Sequence, residues 1–240
     1  MPTTLIIIPG WGGSHETWSD FVTLAKPHFN NVIVIDLPCF GDEPCPSKVW
    51  GVEEYSNFVE SKISKYKNKQ MVLLGHSFGG AVAAHLVKSN PKLIDKLVLS
   101  GAAIYRPKNY LKRTALGFFA KIAKLIISII PSKKLRNTTK RLTHKLTGTS
   151  DYNETTGIKR QIFKKIVRQD QGHILSNIVT PTCVIQGTND TYVPYRFGKR
   201  IAEHIPSASF VTIADGRHGL HISSKKIFLN TILEFIEKII

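Results

Sequence analysis

The stretch Met71-Val72-Leu73-Leu74-Gly75-His76-Ser77-Phe78-Gly79-Gly80 constrains the fold more than any other part of the chain. Four apolar residues run without interruption into a glycine-flanked serine, and an apolar, helix-like stretch, Ala81–Lys88, comes directly after. A continuous apolar run this short reads as a strand buried on both faces, which is the environment of a parallel sheet. With one tight turn between them, the helix must fold back over the sheet as a crossover.

Five further runs share the character of Met71–Leu74: Leu5–Ile8, Val32–Ile35, Lys96–Leu99, Cys183–Gln186 and Phe210–Ile213. Each is flanked by Gly, Pro, Asn or Asp. Helical periodicity falls on Trp18–Phe29, Val52–Tyr66, Phe78–Lys88, Pro194–His204 and Ser223–Ile239. Alternation of this kind predicts an α/β fold with a doubly wound, mainly parallel, six-stranded sheet.

The rhythm breaks after the fourth strand, where about 80 residues pass without a clear strand. An apolar and basic stretch, Tyr110–Ile130, is succeeded by Pro131, a basic run to Leu146, a polar break and a helix-like segment, Ile158–Gln169. The sequence therefore predicts three parts: a core, residues 1–103; an inserted helical cap, 104–178; and the rest of the core, 179–240.

Charge marks the same boundary. The chain carries a net +16, and residues 104–172 hold seventeen Lys/Arg against three acids, or +14. A surface of that sign suits anionic partners, and a basic amphipathic segment suggests weak contact with an anionic membrane surface. Few aromatics are interleaved with the lysines and arginines, so nucleic acid is not an expected partner. No run approaches the ~18 apolar residues of a membrane span, and the first residues lack the pattern of a signal peptide. The expected setting is cytoplasmic.

Cys39, Cys45 and Cys183 make neither a CxxC pair nor a Cys/His ligand pattern, so no metal is expected. Cys39 and Cys45 share one Pro-rich loop, which leaves a local disulfide open.

The chemistry is set by the strand ends. A serine between Gly75 and Gly79 at a strand–helix turn is lifted clear of the sheet, and Phe78 N–H then lies at a helix N-terminus. A serine hydroxyl needs a base, and the base needs an orienting acid. His218, in Ala214-Asp215-Gly216-Arg217-His218-Gly219-Leu220-His221, comes after the last strand and reaches the same sheet edge; His221 is its rival. His76 adjoins the serine, but on such a turn its side chain is expected to point away. Asp190 comes after the fifth strand in Gly187-Thr188-Asn189-Asp190, with Asp36 after the second strand as a competitor on spacing. The chain order Ser, Asp, His favours Asp190. Ile8-Pro9-Gly10-Trp11-Gly12-Gly13-Ser14 turns back over the serine and offers Trp11 N–H as a second donor. It lacks the spacing of a dinucleotide loop, so no cofactor is expected.

Together these motifs resemble the α/β-hydrolase superfamily over the whole chain except the inserted segment. Ile7-Ile8-Pro9-Gly10-Trp11-Gly12-Gly13 and Val34-Ile35-Asp36-Leu37-Pro38-Cys39-Phe40-Gly41 look like the loops of its small serine carboxylesterases, the pimeloyl-ester type among them. The resemblance implies Ser77, Asp190 and His218 as a triad, and Trp11 and Phe78 N–H as an oxyanion hole. It also implies a small-molecule ester substrate, with lactones and thioesters open. A carbon–carbon bond hydrolase with the same triad and a membrane-peripheral binding module are the alternatives. Pro9 stands where the family usually has histidine, Cys39 replaces a common glycine, and the family's leading antiparallel strands have no counterpart before Leu5.

Overall fold

In the computed structural model the described residues are 3–66, 70–106, 155–206 and 208–237. Six strands, β1 (Thr3–Ile8), β2 (Asn31–Val34), β3 (Gln70–His76), β4 (Lys96–Ser100), β5 (Thr182–Gly187) and β6 (Ala208–Ile213), form one sheet in the order β2-β1-β3-β4-β5-β6. Every neighbouring pair is parallel, so all six carboxyl ends lie at one edge.

Burial explains the uninterrupted apolar runs. β4 and β5 are buried throughout, and β1 and β3 in all but their first residue, whereas the edge strands β2 and β6 are half covered. Successive side chains point to opposite faces. Ile6, Ile8, Leu73, Leu97, Leu99 and Val184 therefore enter one core, and Leu5, Ile7, Val72, Leu74, Val98 and Ile185 enter the other.

Helices α2 (Val52–Ile63), α3 (Phe78–Ser89), α4 (Gly157–Ile166) and α5 (Tyr195–His204) contribute to the first core. α1 (Ser19–Ala25), α6 (Leu220–Ser223) and α7 (Lys225–Glu237) cover the second. The expected helix Trp18–Phe29 is shorter than its periodicity implies. Its α-helical part is Ser19–Ala25, between 3-10 turns at Glu16–Trp18 and Lys26–His28, because Pro27 has no N–H with which to continue the ladder. The last expected helix begins early as α6 and restarts at Lys225.

Most of the expected cap, and all of Tyr110–Ile130, lies outside the described residues. Its described end is α4 and a 3-10 segment, Gly172–Asn177. α4 buries Ile162 and Ile166, and two of its lysines, both half-buried, reach partners on the α/β core. Lys159 Nζ donates to the Cys39 carbonyl at 3.1 Å and sits 4.2 Å from the Phe40 ring centroid, and Lys165 Nζ pairs with Glu54 at 3.1 Å. Among the described residues no helix is long and apolar enough to cross a membrane.

Cys39 and Cys45 are joined in a disulfide. This closes the loop that the sequence leaves open, and a formed bond is the exception in a reducing cytoplasm. Cys183 takes no part in this disulfide and is buried in β5.

Candidate active site

The chain leaves β1 for β2 on one side and returns to β3 on the other, so the sheet's switch point lies between the carboxyl ends of β1 and β3. Ser77 sits there, between β3 and α3, with φ 53° and ψ −117°. A non-glycine residue held at positive φ costs about 1–3 kcal/mol and persists only where its surroundings over-determine it. They do so here: Ser77 N–H donates to the Ser100 carbonyl at 3.0 Å, and Ser77 O accepts from Gly80 N–H at 3.0 Å and Ala103 N–H at 2.8 Å.

The glycines around it are required by close approach. A Cβ on Gly79 would fall 2.2 Å from Ile8 O and 2.4 Å from Pro9 O, and one on Gly75 would meet Ala83 Cβ at 2.7 Å. A Cβ on Gly10 would lie 3.0 Å from Ser77 Cβ, which places the loop after β1 directly against the serine. In that loop Gly13 N–H closes a turn on Gly10 O at 3.0 Å. The Trp11 ring packs on Phe40 (4.8 Å between centroids), Phe163 of α4 (5.1 Å) and Phe78 (6.1 Å). Among the described residues, neither Trp11 N–H nor Phe78 N–H donates to a protein acceptor.

The loops after β5 and β6 are locked to each other. Asn189 N–H donates to Gly216 O at 2.9 Å, Thr188 N–H to Ile213 O at 3.1 Å and Asp215 N–H to Thr188 Oγ1 at 2.8 Å. Gly187 allows this, since its Cβ would fall 2.2 Å from Gly216 O. One loop carries Asp190 and the other His218, and the two meet: His218 Nδ1 lies 2.8 Å from Asp190 Oδ2. A carboxylate only accepts, so Nδ1 holds the proton and Nε2 is left as the basic nitrogen. Asp190 Oδ1 accepts from Tyr192 N–H at 2.9 Å and Val193 N–H at 2.8 Å, and Oδ2 accepts a second bond from Gln186 Nε2 at 2.9 Å.

The turn after β4 joins serine and pair. Ser100 and Ala103 hold the Ser77 backbone, and a Cβ on Gly101 between them would lie 3.1 Å from Asp190 Oδ2 and 3.2 Å from His218 Nδ1. The rival residues are used elsewhere. Asp36 pairs with His15 (Nδ1 to Oδ2, 2.5 Å) and accepts from the backbone of His15 and Asp42. That group, His15, Asp36 and Asp42, is the one among the described residues whose donor atoms all lie within 4.8 Å.

His221 stacks on Trp18, 3.8 Å between centroids and 5° between planes. His76 lies behind the base, 4.7 Å from the His218 ring and 5.1 Å from that of His221. Its Nδ1 is 3.0 Å from Ser100 O, an acceptor only, so Nδ1 is protonated. The ring of Tyr192 also stacks on His218, at 5.0 Å between centroids. His76, Tyr192 and Gln186 are not legible as site residues in the sequence. Gln186, a lone amide closing the apolar run Cys183–Ile185, carries the one readable signal.

The buried histidines make stability depend on pH. Burial, then the neighbouring His218 and His221, holds His76 well below the usual 6.5. Burial, then His218, lowers His221 to about 4. Both values are depressed by folding, so between about pH 4 and 6.5 the unfolded chain binds more protons, and stability present above 6.5 is lost as pH falls. For His221 alone the loss reaches roughly 3 kcal/mol by pH 4. Thermal unfolding measured from pH 7.5 to 4.5 should show a falling midpoint, and His221→Phe should flatten that fall. Parallel curves for the two proteins would contradict the assignment.

Residues 3–225 match the family model described as the alpha/beta hydrolase fold, and the chain belongs to that family. It is 23% identical over 248 residues to a protein of Agrobacterium fabrum provisionally named a carbamate hydrolase, covering 97% of this chain and 92% of that one. It is 22% identical over 246 residues to the pimeloyl-acyl-carrier-protein methyl ester esterase of Neisseria meningitidis, covering 96% and 92%. Among solved structures, an esterase from Exiguobacterium antarcticum superposes with a TM-score of 0.73 at 18% identity, covering 98% of this chain and 92% of that one.

Proposed function

We propose that the protein is a serine hydrolase that cleaves small carboxylic esters through an acyl-enzyme on Ser77. The observation that carries this reading is the hydrogen-bonded His218–Asp190 pair, tied through the Ser100–Ala103 turn to a serine held at φ 53°. The esterase and carbamate hydrolase named above support it, since both bonds yield to a nucleophile attacking an acyl carbon.

In this mechanism His218 Nε2 takes the Ser77 proton as Oγ attacks the carbonyl carbon. The carbonyl electron pair moves to oxygen, and Trp11 and Phe78 N–H donate to that oxyanion. The tetrahedral species collapses, and His218 returns the proton to the departing alcohol, leaving Ser77 acylated. Water then gives a proton to His218, attacks the same carbon and releases the acid, and Ser77 regains its hydrogen. Asp190 keeps the proton on Nδ1 and stabilises the imidazolium in each half-reaction.

The inserted segment 104–178 is assigned as a cap that decides which acyl groups enter, with Phe163 on α4 against Trp11 supporting that placement. Its charge suits substrates or surfaces of negative sign. The compartment is taken as cytoplasmic on the expectation from sequence.

A panel of p-nitrophenyl esters from acetate to palmitate, with lactones, a carbamate and a vinylogous diketone, tests the substrate class. The expected result is fastest turnover of an ester, and a fall of about 10⁴-fold or more on every substrate in Ser77→Ala. Turnover of the diketone alone would replace ester hydrolysis with carbon–carbon cleavage. Ester turnover within about tenfold of wild type in Ser77→Ala would remove the reading.

A further inference from the structure

We infer that Gln186 is a positioning residue for the proposed triad, holding Asp190 Oδ2 in place and limiting how strongly that oxygen draws the His218 N–H. The inference rests on the hydrolytic reading above.

Gln186 lies near the end of β5, four residues before Asp190, and is wholly buried. A primary amide in a dry strand is unfavourable unless its donors and acceptor are used. Its two N–H groups are used: Nε2 donates to Asp190 Oδ2 at 2.9 Å and to Val193 O at 3.1 Å. Both partners only accept, which fixes the orientation of the amide. Its Oε1 has no partner among the described residues.

A side chain kept only to fill space would be apolar here. This one leaves a buried oxygen unpaired and places both its donors on the segment that carries the acid. α5 closes down on it at Gly198, where a Cβ would lie 2.7 Å from Gln186 Oε1 and 3.0 Å from its Cβ and Cγ. The amide therefore cannot swing away from Asp190 towards α5.

The division of bonds on Asp190 separates folding from chemistry. Oδ1 is occupied by the backbone N–H groups of Tyr192 and Val193, which suffices to close the turn. Gln186 instead addresses Oδ2, the oxygen that His218 uses. A second donor on that oxygen spreads its charge and weakens its hold on the imidazolium. It also fixes the carboxylate plane, and hence the His218 ring, with four donors on two oxygens. The titratable groups facing His218 among the described residues are Asp190, His76 from β3, His221 from α6 and Tyr192 from the β5–α5 loop. Gln186 does not titrate and acts on His218 through Asp190.

The test is kcat and KM against pH 5–9 on the best ester of the panel, for wild type, Gln186→Met, Gln186→Leu and Ser77→Ala. Methionine keeps the length of the side chain and leucine its branch, and each removes both donors. The expected result is a fall in kcat of about tenfold in Gln186→Met, with KM within about twofold. The acid limb of the profile should move up by about half a pH unit in Gln186→Met and Gln186→Leu alike. Acid limbs that superimpose on wild type in the folded variants, whatever the fall in kcat, would overturn the inference and leave Gln186 a packing residue. Should Gln186→Met not fold, Gln186→Leu carries the same test. Activity retained in Ser77→Ala would overturn the hydrolytic reading itself, and this inference with it.

Discussion

Replacing Ser77 with alanine is expected to lower kcat by about 10⁴–10⁶-fold while leaving the thermal midpoint within a few degrees of wild type. The effect is large because every bond made or broken in the proposed cycle passes through Oγ. The fold should survive because the turn is held by backbone groups, Ser77 N–H on Ser100 O and Ala103 N–H on Ser77 O, none of which the substitution touches. Alanine keeps the Cβ, so the positive φ of 53° costs it no more than it costs serine. Residual turnover would come from the two backbone donors alone. The comparison is read by steady-state kinetics, with unfolding curves for both proteins. A fall of less than about tenfold would contradict the role given to Ser77.

The second large effect is expected at Asp190→Asn, a fall in kcat of about 10⁴-fold. The new amide must present its oxygen to the N–H groups of Tyr192 and Val193, which hold the position of Oδ1. Its NH2 then faces His218 Nδ1 and Gln186 Nε2, where the carboxylate had accepted two bonds. Donor would oppose donor. The relief available to the imidazole is to move its proton to Nε2, which leaves no base facing the serine. Kinetics on the variant check this, and a rate within a factor of ten of wild type would show that Asp190 does not set the tautomer.

The architecture is legible in the sequence because its signal is physical and local. Runs such as Leu5–Ile8 and Lys96–Leu99 are apolar at nearly every position, which only a doubly covered strand tolerates, and each ends in residues that cannot continue it. Parallel strands place their carboxyl ends together, so Trp11, Ser77, Asp190 and His218, each just past the end of a different strand, gather at one edge. The choice of His218 over His221 and of Asp190 over Asp36 needs geometry. His221 is three residues from His218 but is turned onto Trp18, and Asp36 is bound to His15.

Other features carry no local signature. His76 packs against a neighbour 142 positions further along the chain, His218, and Gln186 is tied to Asp190 through an oxygen shared with a third side chain. The end of α1 is hidden because the 3.6 period runs on through Pro27, whose missing N–H decides the matter. The basic segment announces itself by charge alone. Charge describes what a surface attracts and says little about how the chain folds.

Acylation of Ser77 is the step on which the proposed cycle depends most directly. Intact-mass measurement after brief mixing with the best p-nitrophenyl ester, quenched in acid, reads this in one step, with peptide mapping to locate the adduct. A covalent increment equal to the acyl group, carried by the peptide containing Ser77 and absent in Ser77→Ala, is the predicted result. Turnover at full rate with no increment at any quench time, or an increment on another residue that persists in Ser77→Ala, would contradict it.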